Sequence, residues 1–236
     1  MCTVSFVKTG DKVIVTSNRD ESVIRLNALP PKQYILNEKM VVYPKDPKGG
    51  GTWYVVDEKG TILVLLNGAD EKHHHQPPYR KSRGVIVLEI IGSSSPIEFW
   101  NQIDLENIEP FTLVLYQEEK LYQLRWDETN KETLFLDTNK KHIWASSTLY
   151  PLEVRTKRSE LFHVFLDKKE VISEDELYQF HRYTDSDNLE NGLVINRNEV
   201  LKTLSITQTI LQENILTLKH YDLIQEQESQ ISFETK

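Results

Sequence analysis

Along this chain, short stretches in which apolar residues recur every second position alternate with blocks of helical spacing. Thr3 to Lys8 and Lys12 to Ser17 are rich in β-branched and apolar residues, and Thr9-Gly10-Asp11 between them predicts a tight hairpin. Thr52 to Val56 and Thr61 to Leu66, around Asp57-Glu58-Lys59-Gly60, predict a second hairpin, and Phe111 to Tyr116 with Leu121 to Trp126 a third. Further strands are expected at Thr133 to Asp137 and His142 to Ser146, and a closing hairpin at Thr203 to Thr207 and Ile215 to Lys219. The helical blocks lie between them. Val85 to Ile91, ended by Gly92, reads as a buried helix, and Pro96 to Ile103 as a short one with Ser95 as N-cap. Pro151 to Lys168 places Val154, Leu161, Phe162 and Phe165 on one face, and Ser173-Glu174-Asp175-Glu176 is a capping box opening another helix. This order of strands, helices and strands predicts an α+β layered domain rather than a parallel βαβ sheet.

Composition narrows the function classes. With 236 residues and 39% hydrophobic content the chain can bury a full core, and one domain over residues 1–236 is expected. A net charge of −8 with no basic stripe argues against nucleic acid as a partner. The longest apolar runs, Ile62 to Leu66 and Val85 to Ile91, are far too short to span a membrane. A single cysteine excludes an internal disulfide, and the first thirty residues lack a signal-peptide pattern, so a cytoplasmic protein is expected. No sustained heptad assigns an oligomeric state.

That one cysteine is Cys2. Removal of Met1 would leave a residue carrying both a thiol and a free α-amine, and the amine can serve as the thiol's general base. An antiparallel partner strand would bring Asn18, Arg19 and Asp20 back to the level of Cys2; the alternative is a polar run ending a strand in a solvated turn. Asn67-Gly68 ends the fourth predicted strand, with Asn67 either an oxyanion donor or a turn residue. Gly49-Gly50-Gly51 lacks the lysine and helix of a phosphate loop and reads as a flexible approach to Trp53. Adjacent His73-His74-His75 point in different directions and have no ligand at i+4, so with Gln76-Pro77-Pro78 they read as an exposed loop rather than a metal site. No cofactor is expected.

Taken together, Met1-Cys2-Thr3, Ser17-Asn18-Arg19-Asp20-Glu21-Ser22, Gly50-Gly51-Thr52-Trp53, Leu66-Asn67-Gly68, Ser82-Arg83-Gly84 and Trp144-Ala145-Ser146-Ser147-Thr148-Leu149 resemble the NRDE-motif family, which is the transport and Golgi organization protein 2 family. The resemblance covers nearly the whole chain. It implies an N-terminal-nucleophile hydrolase fold, a four-layer αββα sandwich of two antiparallel sheets. It also implies distant kinship with cysteine amidases, in which an arginine and an aspartate position the N-terminal cysteine and asparagines form the oxyanion hole. Arg19 and Asp20 are then the natural counterparts, with Asn18 or Glu21 as alternatives for either role. Asn67 is the first oxyanion candidate, and Ser147 stands where many relatives place an asparagine. Apart from the resemblance, Trp53, Tyr54 and the His73 to Tyr79 loop either line an apolar pocket or serve as core and surface. Three functions follow. One is an amidohydrolase or acyltransferase acting through Cys2 on a small amide, thioester or lipid-like substrate. The second is a non-catalytic haem- or lipid-handling protein, and the third a thiol redox sensor.

Overall fold

The computed structural model describes residues 3–25, 28–167, 169 and 171–236. Two strands, β1 (Thr3–Thr9) and β2 (Lys12–Ser22), pair antiparallel around Gly10, whose φ of +61° is one that glycine adopts without steric cost. Their alternation serves two cores at once. Val4, Phe6, Val13 and Val15 face a second sheet, whereas Val7 and Ile14 face Phe162, Leu177 and Phe180 on the other side.

The second sheet runs, in spatial order, β3 (Leu29–Leu36), β4 (Lys39–Lys45), β5 (Tyr54–Asp57), β6 (Ile62–Asn67), β7 (Phe111–Gln117), β8 (Lys120–Trp126) and β9 (Lys131–Leu136). In the first sheet β1 and β2 lie between β10 (His142–Ala145) and β12 (Leu201–Gln212). Beyond β12 come β13 (Ile215–Asp222) and β14 (Gln227–Glu234), with the two-residue β11 (Asn196–Arg197) also on β12. All of these pairings are antiparallel.

Helices α1 (Arg83–Ile91) and α2 (Pro96–Gln102) pack on the second sheet, and α3 (Leu152–Leu166) and α4 (Glu174–Tyr183) on the first. The layers are helix, sheet, sheet, helix, as the resemblance implies. The Ser173 capping box forms: the hydroxyl accepts from the Glu176 N–H at 3.2 Å, and Glu176 Oε2 accepts from the Ser173 N–H at 2.9 Å. Such caps contribute about 1 kcal/mol. Among the described residues no helix is long and apolar enough to cross a membrane.

The strands differ from expectation in three places. β2 continues past Ser17, because Asn18, Arg19, Asp20, Glu21 and Ser22 all pair with β12, whose register shifts between Thr203 and Ser205. Residues 29–45 form a hairpin that the alternation does not announce. Its β3 is an edge strand carrying Pro30 and Pro31, where the register against β4 also shifts. At the other end β14 is polar on most positions and adds a third strand to the closing hairpin.

On the helix-facing side of the first sheet a buried polar cluster ties β1, β2 and α4 together. Asn18 donates through Nδ2 to the carbonyls of Leu193 at 2.7 Å and His181 at 3.1 Å, so its Oδ1 accepts from His181 Nδ1–H at 2.5 Å. Nε2 of His181 is left to accept from the Ser5 hydroxyl at 2.7 Å. Burial, assisted by the Arg158 charge, depresses the His181 pKa to about 3, and burial likewise takes His220, which is bonded to Thr207, to about 4. Both are neutral in the folded protein, while the unfolded chain binds protons on them below about pH 6.5. Stability is therefore full above that pH and falls on acidification, by about 1.4 kcal/mol per pH unit per histidine until the folded values are reached. Urea unfolding should show a clearly lower midpoint at about pH 5 than at about pH 7. A midpoint that stays constant between the two would refute the buried neutral histidines.

Candidate active site

At the end of the two sheets lies a cavity of about 330 Å³ whose lining includes Arg19, Glu21, Trp53 and Asn67. Strand parity explains the selection. Arg19 and Glu21 leave β2 on the side facing the second sheet, where Trp53 just precedes β5 and Asn67 ends β6. The Arg19 guanidinium, in a residue only 2% exposed, sits 4.3 Å from the centre of the Trp53 indole. Burial pulls its pKa below the ordinary arginine value, opposed by the charges of Glu21 and Asp46.

Four cationic side chains, Arg19, Arg25, Lys81 and Arg83, and three carboxylates, Glu21, Asp46 and Glu109, line this space. Arg25 pairs with Glu21 at 3.2 Å and with Asp46, Arg83 pairs with Glu109 at 2.9 Å, and Lys81 reaches Glu89 at 2.6 Å. Among the described residues Arg19 is the one cation of the four without an ion pair. Arg25 also holds the Asp46 carboxyl below its usual range against the effect of burial. Trp53 and Leu65 supply apolar wall.

Asn18 and Asp20 leave β2 on its opposite side. Asn18 is occupied in the His181 cluster, and Asp20 accepts from the Thr203 hydroxyl and the Tyr150 hydroxyl, each at 2.5 Å. The Tyr150 pKa is raised well above 10 by burial and by the Asp20 charge, so it remains a donor. Arg158 stacks 3.7 Å over the Tyr150 ring and donates to the Thr3 hydroxyl and to the carbonyls of Asn191 and Gly192. Cys2 itself lies outside the described residues. Thr3, which follows it, pairs with Asn18 on one side and Ala145 on the other. Arg158, Tyr150 and Thr203 were not singled out from sequence. Arg158 left a trace, since it interrupts the apolar stripe of Val154, Leu161, Phe162 and Phe165 while being buried.

Asn67 and Ser147 meet at Gly68. Among the described residues the asparagine's Oδ1 is buried without a partner, and its carbonyl accepts from the Ser146 hydroxyl at 2.7 Å. Gly68 has φ of +83°, and a Cβ there would collide with the Ser147 and Thr148 hydroxyls. Ser147 lines a neighbouring hollow with Gly68 and Arg125, and its hydroxyl donates to the Glu71 carbonyl at 3.2 Å. Its single proton is therefore in use.

The glycine run is not a loose approach to Trp53. Asp46 Oδ1 accepts from the backbone of Lys48 and Gly49, and Thr52 N–H donates to the Gly84 carbonyl at 3.2 Å. Gly51 meets Gly84 backbone to backbone, leaving no room for a Cβ. The histidine run lies in a loop with His74 and His75 exposed, as expected, and within it His73 Nε2 and His75 Nδ1 both approach Glu109 Oε1, at 3.1 and 3.2 Å.

The architecture is that of the N-terminal-nucleophile hydrolases. The chain superimposes on a Caenorhabditis elegans N-acylethanolamine-hydrolyzing acid amidase ortholog with a TM-score of 0.62 at 8% identity, covering 88% of this chain and 92% of that one. It also matches two crystal structures of the conjugated bile acid hydrolase of Clostridium perfringens, both with a TM-score of 0.52 and covering 100% of this chain and 97% of that one. One is an arginine-to-leucine variant at 8% identity, the other a cysteine-to-alanine mutant at 9%. By sequence, residues 1–228 match the Transport and Golgi organisation 2 family, and the chain belongs to that family. No curated protein sequence matches it significantly.

The packing of Gly51 on Gly84 makes a direct test of the cavity's frame. Gly51→Ala should cost about 1–3 kcal/mol, because the obstructing atoms are backbone and cannot rotate away. At ~2–4 °C per kcal/mol for a chain of this size, calorimetry should record the loss as a lower Tm, and an unchanged Tm would contradict the close approach.

Proposed function

We propose that the protein is a cysteine N-terminal-nucleophile amidohydrolase or acyltransferase, acting on a small amide, thioester or lipid-like substrate through Cys2 after Met1 is removed. The observation that carries this reading is Arg19, buried at the cavity wall with no ion pair among the described residues. Consecutive Cα atoms are ~3.8 Å apart, so Cys2 is tethered beside Thr3, whose ladder partner is the residue preceding Arg19. A cation so placed favours thiolate over thiol. The fold shared with an amidase and a bile acid hydrolase supports the reaction class. The proposed setting is the cytoplasm.

In this mechanism the Cys2 thiol gives its proton to the α-amine, and the thiolate attacks the acyl carbon. The carbonyl π electrons move to oxygen, where the Asn67 amide would donate a hydrogen bond; losing such a donor typically costs ~10² to 10³ in rate. Collapse breaks the bond to the leaving group, which takes the proton from the ammonium, and a thioester remains. Water, deprotonated by the amine, then attacks the thioester; the acid departs and the thiolate recovers its proton. Trp53 and Leu65 offer apolar surface to the acyl chain, and Glu21 with Arg25 frames the polar end.

The same cavity also suits carriage without turnover. Its cationic excess beside Trp53 and Leu65 fits an anionic amphiphile such as a lipid- or haem-like ligand. Three measurements separate the two. Intact-mass analysis should find Met1 absent, acyl electrophiles should label Cys2 by peptide mapping, and Cys2→Ser should lose that labelling. Arg19→Met should displace the pH profile of iodoacetamide alkylation upward by about 1–3 units. A retained Met1, or profiles that coincide, would sink the hydrolase and leave the carrier.

A further inference from the structure

We propose that His73, His75 and Glu109 form a binding site for one divalent transition-metal ion at the rim of the cavity, independent of any chemistry at Cys2. The ligand atoms His73 Nε2, His75 Nδ1 and a Glu109 oxygen all lie within 4.8 Å of one another. His73 and His75, two residues apart, both reach the one carboxylate. The third ligand comes from the segment leading into β7, more than thirty residues later, where a local search for an i+4 partner does not look.

Two of the three donor separations are those of a coordination shell. Bonds of about 2.0–2.1 Å in tetrahedral array place neighbouring donors roughly 3.3 Å apart. The two nitrogens stand 3.1 and 3.2 Å from Glu109 Oε1. Both imidazoles aim at one carboxylate oxygen, so an ion can replace the two hydrogen bonds without moving the chain far.

The carboxylate is held for the purpose. Arg83 engages Glu109 Oε2 at 2.9 Å and the adjacent Pro110 carbonyl at 3.1 Å, and that carbonyl also accepts from Gly68 N–H at 3.0 Å. Ligand orientation by such outer partners is a property of working metal sites. The His73 side chain is 9% exposed and already desolvated, whereas that of His75 is 64% exposed. The site is thus closed on one side and open on the other. Two nitrogens and one oxygen favour zinc-class ions over calcium or magnesium, and three protein ligands leave a position for water or an anion. Since Arg83 and Glu109 line the cavity, a bound ion would meet the anionic end of whatever enters there.

The test uses the full chain stripped of metal by a chelator and titrated with Co(II), read by its visible d–d absorption, and with Zn(II) by calorimetry. One equivalent should bind. His73→Ala and His75→Ala should abolish that equivalent, Arg83→Met should weaken it by about 10- to 100-fold, and His74→Ala should leave it intact. Circular dichroism monitors folding, and the exposed His75 is the variant that decides should His73→Ala unfold. Absence of Co(II) uptake would overturn the proposal. So would binding that survives His75→Ala, or that shows the sulfur-to-cobalt charge transfer of a thiolate ligand.

Discussion

Strand β2 is buried on both of its faces, and side chains along a strand must alternate between them. A run of four polar residues, Asn18 to Glu21, cannot be exposed on one side as it would be in a half-solvated sheet. An isolated buried charge costs several kcal/mol, so each face must answer the residues it receives. On the helix side the answer is hydrogen bonding by His181, Leu193, Tyr150 and Thr203. On the side facing the second sheet it is Arg25 for Glu21 and an indole for Arg19, with a cavity left over. Much of the architecture around the N-terminus can be understood as satisfying this one strand.

The cavity is made by backbones that approach closely as much as by side chains. Gly51 against Gly84 lets the entry to β5 touch the start of α1, and Gly68 lets the exit of β6 touch the segment after β10. Arg83 lies where these pieces meet, binding Glu109 and Pro110 together. Burial lowers the Arg83 pKa, and Glu109 opposes that effect, so the pair is retained as an ion pair in a desolvated place.

Strong local signals transferred well from sequence to structure. The hairpins around Gly10, Gly60 and Glu118-Glu119, the helix after Arg83 and the Ser173 cap each combine a period with a turn or cap residue, and each is present. What local patterns did not carry was which face a polar residue uses. Arg19 and Asp20 are adjacent in sequence and belong to different sides of a sheet, a separation that only a strand continuing past Ser17 produces. Trp53 proved to be both core and cavity wall. Edge strands β3 and β14 were illegible for a related reason: with one face packed loosely, they have little need of alternating apolar residues. Arg158, an arginine in an apolar stripe, was a visible anomaly whose meaning lay in the distant Thr3 and Tyr150.

Strand β3 closes the second sheet on one side with two consecutive prolines, Pro30 and Pro31, and a break in register against β4. A proline nitrogen has no proton to give, so Pro30 and Pro31 thin out the donors at the start of that margin, whereas Lys32 to Leu36 keep theirs. Pairing with a second copy or with an added peptide strand is disfavoured at that proline end of β3. A fold made almost entirely of antiparallel ladders thus carries, at one end of that border, two rings of three methylenes each where a ladder would look for donors.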